Sequence, residues 1–418
     1  MKKLRIVITA RSPLAISARK PGGQFRESLG YIPGALLRGA AAQVMLKAEA
    51  DHVHCDPGAP ADCPFCRIFC SDDPALFANA YPGPTTALVR VIPATAVSCK
   101  GHPGFLREPE QRCRLREERL PHGVFDTLID RLCWEALQSR GLVYALSCPA
   151  CDGRLERFGG FYYVEDGKYR HSSIPQRLLT RVALNRRRGV AEDQLLYSPS
   201  VLAEARRGRP TTFVGEVYVD GVAEELEKAL RQVRYLGGGS SRGLGRVEVE
   251  ARLVKGGGGS VANRVEAFNE AVRGRWEPYK KLAPRNPQPK HNPDDGAFFT
   301  IGLMADAILR DGWRPTMVLT AEMLKEATGI ADDSLVLVRS YAGYGYRGGW
   351  NAVWELPKVT EVIASMGSVY VYWTADIDKW LPALAKLEVH GVGERRAEGF
   401  GRVRVCDEFH LIRREEPK

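Results

Sequence analysis

The sequence predicts an α+β protein built from two similar units in tandem, and three observations predict it. A glycine-rich stretch, Leu236-Gly237-Gly238-Gly239-Ser240-Ser241-Arg242-Gly243-Leu244-Gly245-Arg246-Val247, recurs near the C-terminus as Gly391-Val392-Gly393-Glu394-Arg395-Arg396-Ala397-Glu398-Gly399-Phe400-Gly401-Arg402-Val403. Each copy follows an amphipathic stretch of helical character, Val222 to Val233 and Ile377 to Leu387. Each copy runs into an alternating strand, Arg246-Val247-Glu248-Val249 and Arg402-Val403-Arg404-Val405. Repetition of this kind marks a duplicated domain. Strand–helix–strand units that each close with a helix, a glycine-rich loop and a strand make a pair of ferredoxin-like (RRM-like) domains.

The chain has 418 residues, enough for two or three domains, and 44% of them are hydrophobic, enough for packed cores. The formal net charge is +10 and the isoelectric point about 9.1. That excess favours a polyanionic partner, nucleic acid first and an anionic membrane second. No apolar run reaches the roughly 18 residues a membrane span needs. The basic start Met1-Lys2-Lys3 leads into a short apolar run that meets Arg11 and Pro13, which reads as a first strand and not a signal peptide. A cytoplasmic location is expected, where ten cysteines point to metal or free thiols before disulfides.

In chain order, residues 4–10 form the first strand, broken by Ser12-Pro13. A basic loop with Lys20, Gln24 and Arg26 follows. Tyr31-Ile32-Pro33-Gly34 then leads into a small-residue helix carrying Arg38, with Pro33 in its first turn. The loop and Arg38 are candidate RNA contacts, or an ordinary solvated loop beside a core-facing helix.

Cys55, Cys63, Cys66 and Cys70 are spaced C-x7-C-x2-C-x3-C. A C-x2-C pair can direct two thiolates at one tetrahedral ion. The alternative is a group of buried or oxidisable thiols, and His54 competes with Cys55 as third ligand. A second cluster is split along the chain. Cys99 precedes Cys113 and His122, and Cys148-Pro149-Ala150-Cys151 forms another knuckle. Cys99, Cys148 and Cys151, with Cys113 or His122 as the fourth ligand, would close a structural zinc site with no open position for substrate. Cys133 and Cys406 read as core thiols.

Arginines concentrate at 181–209, a solvated basic face in the ordinary case. Residues 255–296 begin with a glycine run and continue into a proline-rich basic piece, the best linker candidate. This divides the chain into 1–254, with a cysteine-rich zinc-binding insertion over about 51–170, a linker at 255–296, and a second domain at 297–418. In that second domain Phe298 to Leu303 is again a first strand. Arg347, among glycines and Tyr341, Tyr344, Tyr346 and Trp350, belongs to a stretch that could stack bases or pack as a rigid loop.

Glycines permit positive φ and close approach, and exposed N–H groups beside an arginine seat phosphate oxygens. One such loop is weak evidence, since a helix-to-strand turn can bind nothing. Two in the same setting favour phosphate-backbone binding. At this point the chain resembles the RAMP superfamily of CRISPR-associated proteins, whose hallmark is a glycine-rich loop before the last strand. Ser12-Pro13-Leu14-Ala15-Ile16, the loop 20–28, Tyr31 to Gly39, Cys63-Pro64-Phe65-Cys66-Arg67-Ile68-Phe69, Phe77 to Pro82, Pro93 to Lys100, Gly349-Trp350-Asn351 and Leu356-Pro357-Lys358 look like the double-RAMP subunit of type III-D effector complexes.

That resemblance implies a non-catalytic subunit that binds and caps the crRNA 5′ handle. Its partners would be crRNA, the large polymerase-like subunit and the filament of backbone RAMP subunits, with target RNA met indirectly and no membrane, in antiviral defence. It places Gly238, Gly239, Ser240, Ser241, Arg242 and Arg38 at handle phosphates, and Lys20, Gln24 and Arg26 near the handle or the first guide nucleotides. RAMP subunits that cut target RNA carry an aspartate in the loop after strand one, and Arg11 to Tyr31 holds none. The alternative is a RAMP endonuclease that processes repeat RNA. It would need a histidine as general base, and His390 beside the second loop is its candidate. His122 and His171 lack an acid or base partner in sequence.

Overall fold

The computed structural model describes residues 1–17, 25–26, 28–48, 63–107, 120–137, 146–185, 187–188, 190–254, 259–281, 291, 294–351 and 356–418. It is a mixed helix and sheet protein. Its centre in the first half is the strand Lys2–Ala10, where Leu4, Ile6, Ile8 and Ala10 are buried while Lys3, Arg5, Val7 and Thr9 face the other way. That alternation makes one apolar face. The strand pairs antiparallel with Thr212–Val219 on one side and Val247–Val254 on the other. Leu76–Phe77 and Tyr81–Pro82 pair along the far side of Thr212–Val219. The helices Gly34–Ala48 and Ala223–Gln232 close the apolar face with Leu37, Ala41, Met45, Leu226, Ala229 and Leu230. Glu224 and Glu225 in the first turn and Arg231 in the last suit the dipole of the second helix. The order is β-α-β-β-α-β, with strand four beside strand one, then three, then two.

The second half repeats that order. Ala297–Leu303 is central, between Val369–Thr374 and Val403–Val405, and Val336–Tyr341 lies outside Val369–Thr374. The helices are Ala321–Thr328 and Ile377–His390. Thr320 caps the first of them by accepting from the Met323 amide at 3.2 Å. Phe299, Tyr372 and Trp380 stack in the core, and the Trp380 indole donates to Asp332 at 2.8 Å.

Each unit also carries a long hairpin before its third sheet strand. In the first it is Arg181–Asn185 with Val190–Leu202, and in the second Tyr344–Asn351 with Leu356–Ala364. Each returning arm ends against the segment that leaves strand one, Leu202 bridging Leu14 and Ala364 bridging Ala307. The duplication therefore extends to the hairpins.

Two boundaries differ from the sequence expectation. The proposed linker contains the 20-residue helix Val261–Lys280, which packs Val261, Val265, Phe268, Val272 and Trp276 into the core of the second unit. Those residues recur every three or four positions, the spacing of one helix face. The flanking glycine and proline runs obscured it, and 255–258 and 282–290 lie outside the described residues. The insertion is also shorter than 51–170. Residues 51–62 lie outside the described residues, and Phe65, Ile68 and Phe69 of the helix Pro64–Phe69 belong to the first unit's core. The insertion builds two three-stranded sheets between Val89 and Ser172. Its small core of Ile92, Ala96, Phe105, Val124, Phe125 and Tyr162 is completed by Phe409 and Ile412 from the C-terminal tail. No helix among the described residues is long and apolar enough to cross a membrane.

Candidate nucleic-acid interface and metal centre

The first glycine-rich loop is a rigid object. Backbone bonds close its neck, the Leu236 amide donating to the Gly245 carbonyl at 2.8 Å. Two more fasten it to the exit of strand one, from Gly238 to Ala15 and from Gly245 to Pro13, each at 2.9 Å. Gly245 has φ +82, and a Cβ there would lie 2.6 Å from the Leu236 carbonyl oxygen. No other residue fits that neck. The tip Ser240–Arg242 makes one 3-10 turn. Ser240, Ser241 and Arg242 are exposed, as are Gly238 and Gly239. The Arg181 guanidinium donates to the Arg242 carbonyl at 3.1 Å, tying the hairpin to the loop. The result is two hydroxyls and a guanidinium held on a fixed backbone at a basic edge.

The second loop has the same neck, with the Val392 amide on Gly401 at 2.8 Å and the same attachment to its strand-one exit, Glu394 to Ile308 at 3.0 Å and Gly401 to Asp306 at 2.8 Å. Its tip differs. Gly399 is buried against the first unit, and a Cβ on it would lie 2.7 Å from the Phe77 carbonyl oxygen and 2.9 Å from Asn79 Oδ1. Glu398 sits where the first loop has Arg242, and Arg395 and Lys358 pair with it at 2.6 and 3.0 Å. This loop is a joint between the units. The expectation that both loops open to phosphate is corrected for the second, because unit one covers it and a carboxylate occupies its tip.

Arg347 belongs to the same joint. It reaches Asp306 at 2.6 Å and the Tyr31 hydroxyl at 3.2 Å, so its charge is answered within the fold. Asp306 itself occupies the loop after strand one of the second unit, and it is buried and accepts from the Met366 amide at 2.9 Å. Sequence reasoning missed it. The signal that could have found it is its place directly after a confident strand. Arg38 is half-buried, donates to the Phe69 carbonyl at 2.7 Å and lies over the Phe69 ring. Burial lowers its pKa against the opposing charge of Glu398. Lys20 and Gln24 lie outside the described residues, and of Arg26 the structure describes the backbone, which pairs parallel with Pro199. A cleft of about 940 Å³ also separates the units. Its charges largely answer each other, Lys3 with Glu216 at 2.8 Å and Arg402 against the Tyr218 ring.

The split cysteine cluster comes together. Donor atoms of Cys99, His122, Cys148 and Cys151 all lie within 4.8 Å of one another. The Cys99 and Cys151 sulfurs are 3.7 Å apart, and Cys148 Sγ is 3.3 Å from His122 Nδ1. Two thiolates at about 2.3 Å from one tetrahedral zinc stand about 3.8 Å apart. The spacing fits, and the set could hold a metal ion. The knuckle is shaped by Asp152 at φ +56 and by bonds from Asp152 to Cys148 and from Cys148 to Gly153. His102 stacks on His122 with ring centroids 4.2 Å apart. Of the two fourth ligands left open by the sequence, the structure brings His122, while Cys113 lies outside the described residues.

Among the described residues, the first cluster does not form such a set. Cys55 lies outside the described residues, Cys63 is buried at the start of the helix Pro64–Phe69, and Cys66 is half-buried within it. Cys70 is disulfide-bonded. A disulfide sulfur is no thiolate, so in that state Cys70 offers no ligand to a metal, where the sequence put metal or free thiols before disulfides. Cys133 and Cys406 are buried, each thiol pushed up to about 12, by burial above all.

No known family description matches the sequence, and no curated protein matches it. Among solved structures, the chain is similar to a chain of a type III-B Cmr-beta assembly bound to cognate target RNA and AMPPnP. That alignment has TM-score 0.36 and 10% identity, covering 90% of this chain and 88% of the other. A chain of the same assembly bound to cognate target RNA gives TM-score 0.34 at 10% identity over 88% and 86%. One from its apo state gives 0.28 at 15% over 61% and 98%.

Proposed function

We propose that this chain is an RNA-binding, non-catalytic subunit of a type III CRISPR effector complex. In this reading it seats the crRNA 5′ handle on the loop 237–245 and joins the large polymerase-like subunit to the backbone filament. One observation carries it: of two loops built to the same plan, one remains exposed with Ser240, Ser241 and Arg242 at its tip, on a basic chain. Phosphate oxygens suit that tip, since hydroxyls, backbone amides and a guanidinium all donate to them. The two β-α-β-β-α-β units, read as ferredoxin-like domains, and the quoted motifs give the handle-capping role its content.

The non-catalytic part rests on where the candidate groups lie. His122 is in the cysteine cluster, His171 is 3.3 Å from the Gly159 carbonyl oxygen, and Asp306 is paired with Arg347. His390 ends its helix half-buried beside the joint. The test is binding of a labelled handle RNA to the wild type and to Arg242→Ala, with cleavage followed in the same tubes. The reading expects several-fold weaker binding by the variant and intact RNA throughout. Unchanged binding would contradict it, as would cleavage that His390→Ala abolishes.

A further inference from the structure

Beyond the glycine-rich loop, the first unit carries a second basic element that none of the site residues above includes. Between the long hairpin and the third sheet strand, the chain makes a tight two-residue turn. Ala205 pairs with Pro210 and Arg206 with Arg209, leaving Arg207 and Gly208 at the corner. Both corner residues have positive φ, +49 and +77. Turns of this kind favour Asn, Asp or Gly at the first corner position. Arginine there breaks the local rule, and nothing among the described residues compensates. Arg206, Arg207 and Arg209 are all exposed, and no carboxylate pairs with them among the described residues. A local rule broken without a packing reason points to function.

The turn's foot is fixed. The Thr211 amide donates to the Glu204 carbonyl at 2.8 Å, the Thr211 hydroxyl to the Ala203 carbonyl at 2.7 Å, and the Ala10 amide to the Thr211 carbonyl at 2.9 Å. Its position is specific too. The exit of strand one runs between the two basic elements, Leu14 bridging Leu202 at the root of the turn and Ala15 bridging Gly238 of the loop. Two strand spacings, roughly 10 Å, separate those flanks. The nearby acids are engaged, Glu204 by Arg177 at 2.8 Å and Glu248 by Arg11. Arg246 is exposed on the loop side. This end of the sheet therefore has a guanidinium cluster on each side of residues 10–16, with Glu204 and Glu248 already paired.

We propose that Arg206-Arg207-Gly208-Arg209 is a second phosphate-binding element, taking the backbone of the same single-stranded RNA as that strand crosses residues 10–16 from the glycine-rich loop. The inference rests on the RNA-binding reading above and adds a site to it. Guanidinium forks match phosphate oxygens in pairs, and three on one rigid turn make an interaction that does not depend on base sequence.

The experiment measures binding of a fluorescein-labelled single-stranded RNA of defined sequence to the full chain across a salt series. It compares wild type, the triple variant R206A/R207G/R209A, the triple lysine variant, R207G alone and R242A, with thermal unfolding of each. Removing one arginine–phosphate pair should flatten the log–log salt slope by about 0.7. The triple variant is expected to flatten it by about 2 and to bind about tenfold or more weakly at moderate salt. The lysine variant should keep the slope. R207G suits the corner's backbone, so its expected flattening of about 0.7 is free of any folding defect. If R242A weakens binding while the triple variant and R207G bind as wild type, this inference falls and the RNA-binding reading stands. If neither R242A nor the triple variant changes binding, both fall. Polyglutamate that displaces the RNA from wild type as well as polyuridylate of equal charge would assign the turn to an acidic protein surface and overturn the RNA assignment.

Discussion

At Cys148 the fold has already gathered the donors a metal needs. Its thiol is buried and pushed up to about 11, by burial above all. Zinc takes the thiolate, so the ion would displace that proton and bind more weakly as pH falls. Cys148→Ser should lose one equivalent of zinc by elemental analysis and unfold at lower temperature, and chelation should lower the melting temperature of the wild type but not of the variant. Equal metal content in the two proteins would count against the site. A second buried pair lies at the tail, where His410 Nδ1 is 2.8 Å from Asp126 Oδ2 and both side chains are fully buried. Asp126 also accepts from the Thr95 hydroxyl and the Leu128 amide, each at 2.7 Å. Burial by itself lowers the imidazole's pKa, but the charge and hydrogen bond of Asp126 outweigh it, and the pKa is raised. A raised folded pKa means the pair stabilises fully below the unfolded histidine value near 6.5 and loses that contribution as pH rises through the folded value. His410→Gln should therefore cost about 3 kcal/mol in denaturant unfolding at low pH. The difference from wild type should shrink with rising pH, and a pH-independent difference would contradict the assignment.

At the scale of elements, the glycine-rich loops show what a sequence pattern carries and what it leaves out. The necks were legible, because Gly245 and Gly401 answer a backbone requirement that the chain itself imposes. The fates of the tips were not, because Gly399 is buried by residues more than 300 positions away, Phe77 and Asn79. Non-local cover leaves no local trace. The strand-one exits, the second helices and the last strands followed from alternation and helical spacing for the same local reason. The helix Val261–Lys280 stayed hidden because composition at its ends outweighed its own periodicity. It is structural and not a tether, so Trp276→Ala should destabilise the second unit by about 3 kcal/mol or more. Unfolding in denaturant measures this, and a loss under about 0.5 kcal/mol, typical of a surface position, would return the segment to the status of a linker.

Across the whole molecule, the chain closes on itself. The second loop, Arg347 with Asp306 and Tyr31, and the tail residues Phe409 and Ile412 all bind parts of the second half to the first. The Lys418 amide and carbonyl pair with Val124 at 2.9 and 2.8 Å, one residue beyond Gly123 and two beyond His122. The described edge left open on the first unit is the basic one, with the loop 237–245, Arg181 and the arginine turn. The central claim is that this edge holds a defined RNA. The most direct test is to purify the chain from cells that supply its natural RNA and to sequence what remains bound. The account predicts a uniform 5′ tag derived from the CRISPR repeat, retained by the wild type and depleted in Arg242→Ala. RNA of mixed sequence with no common 5′ end, held equally by both proteins, would contradict it.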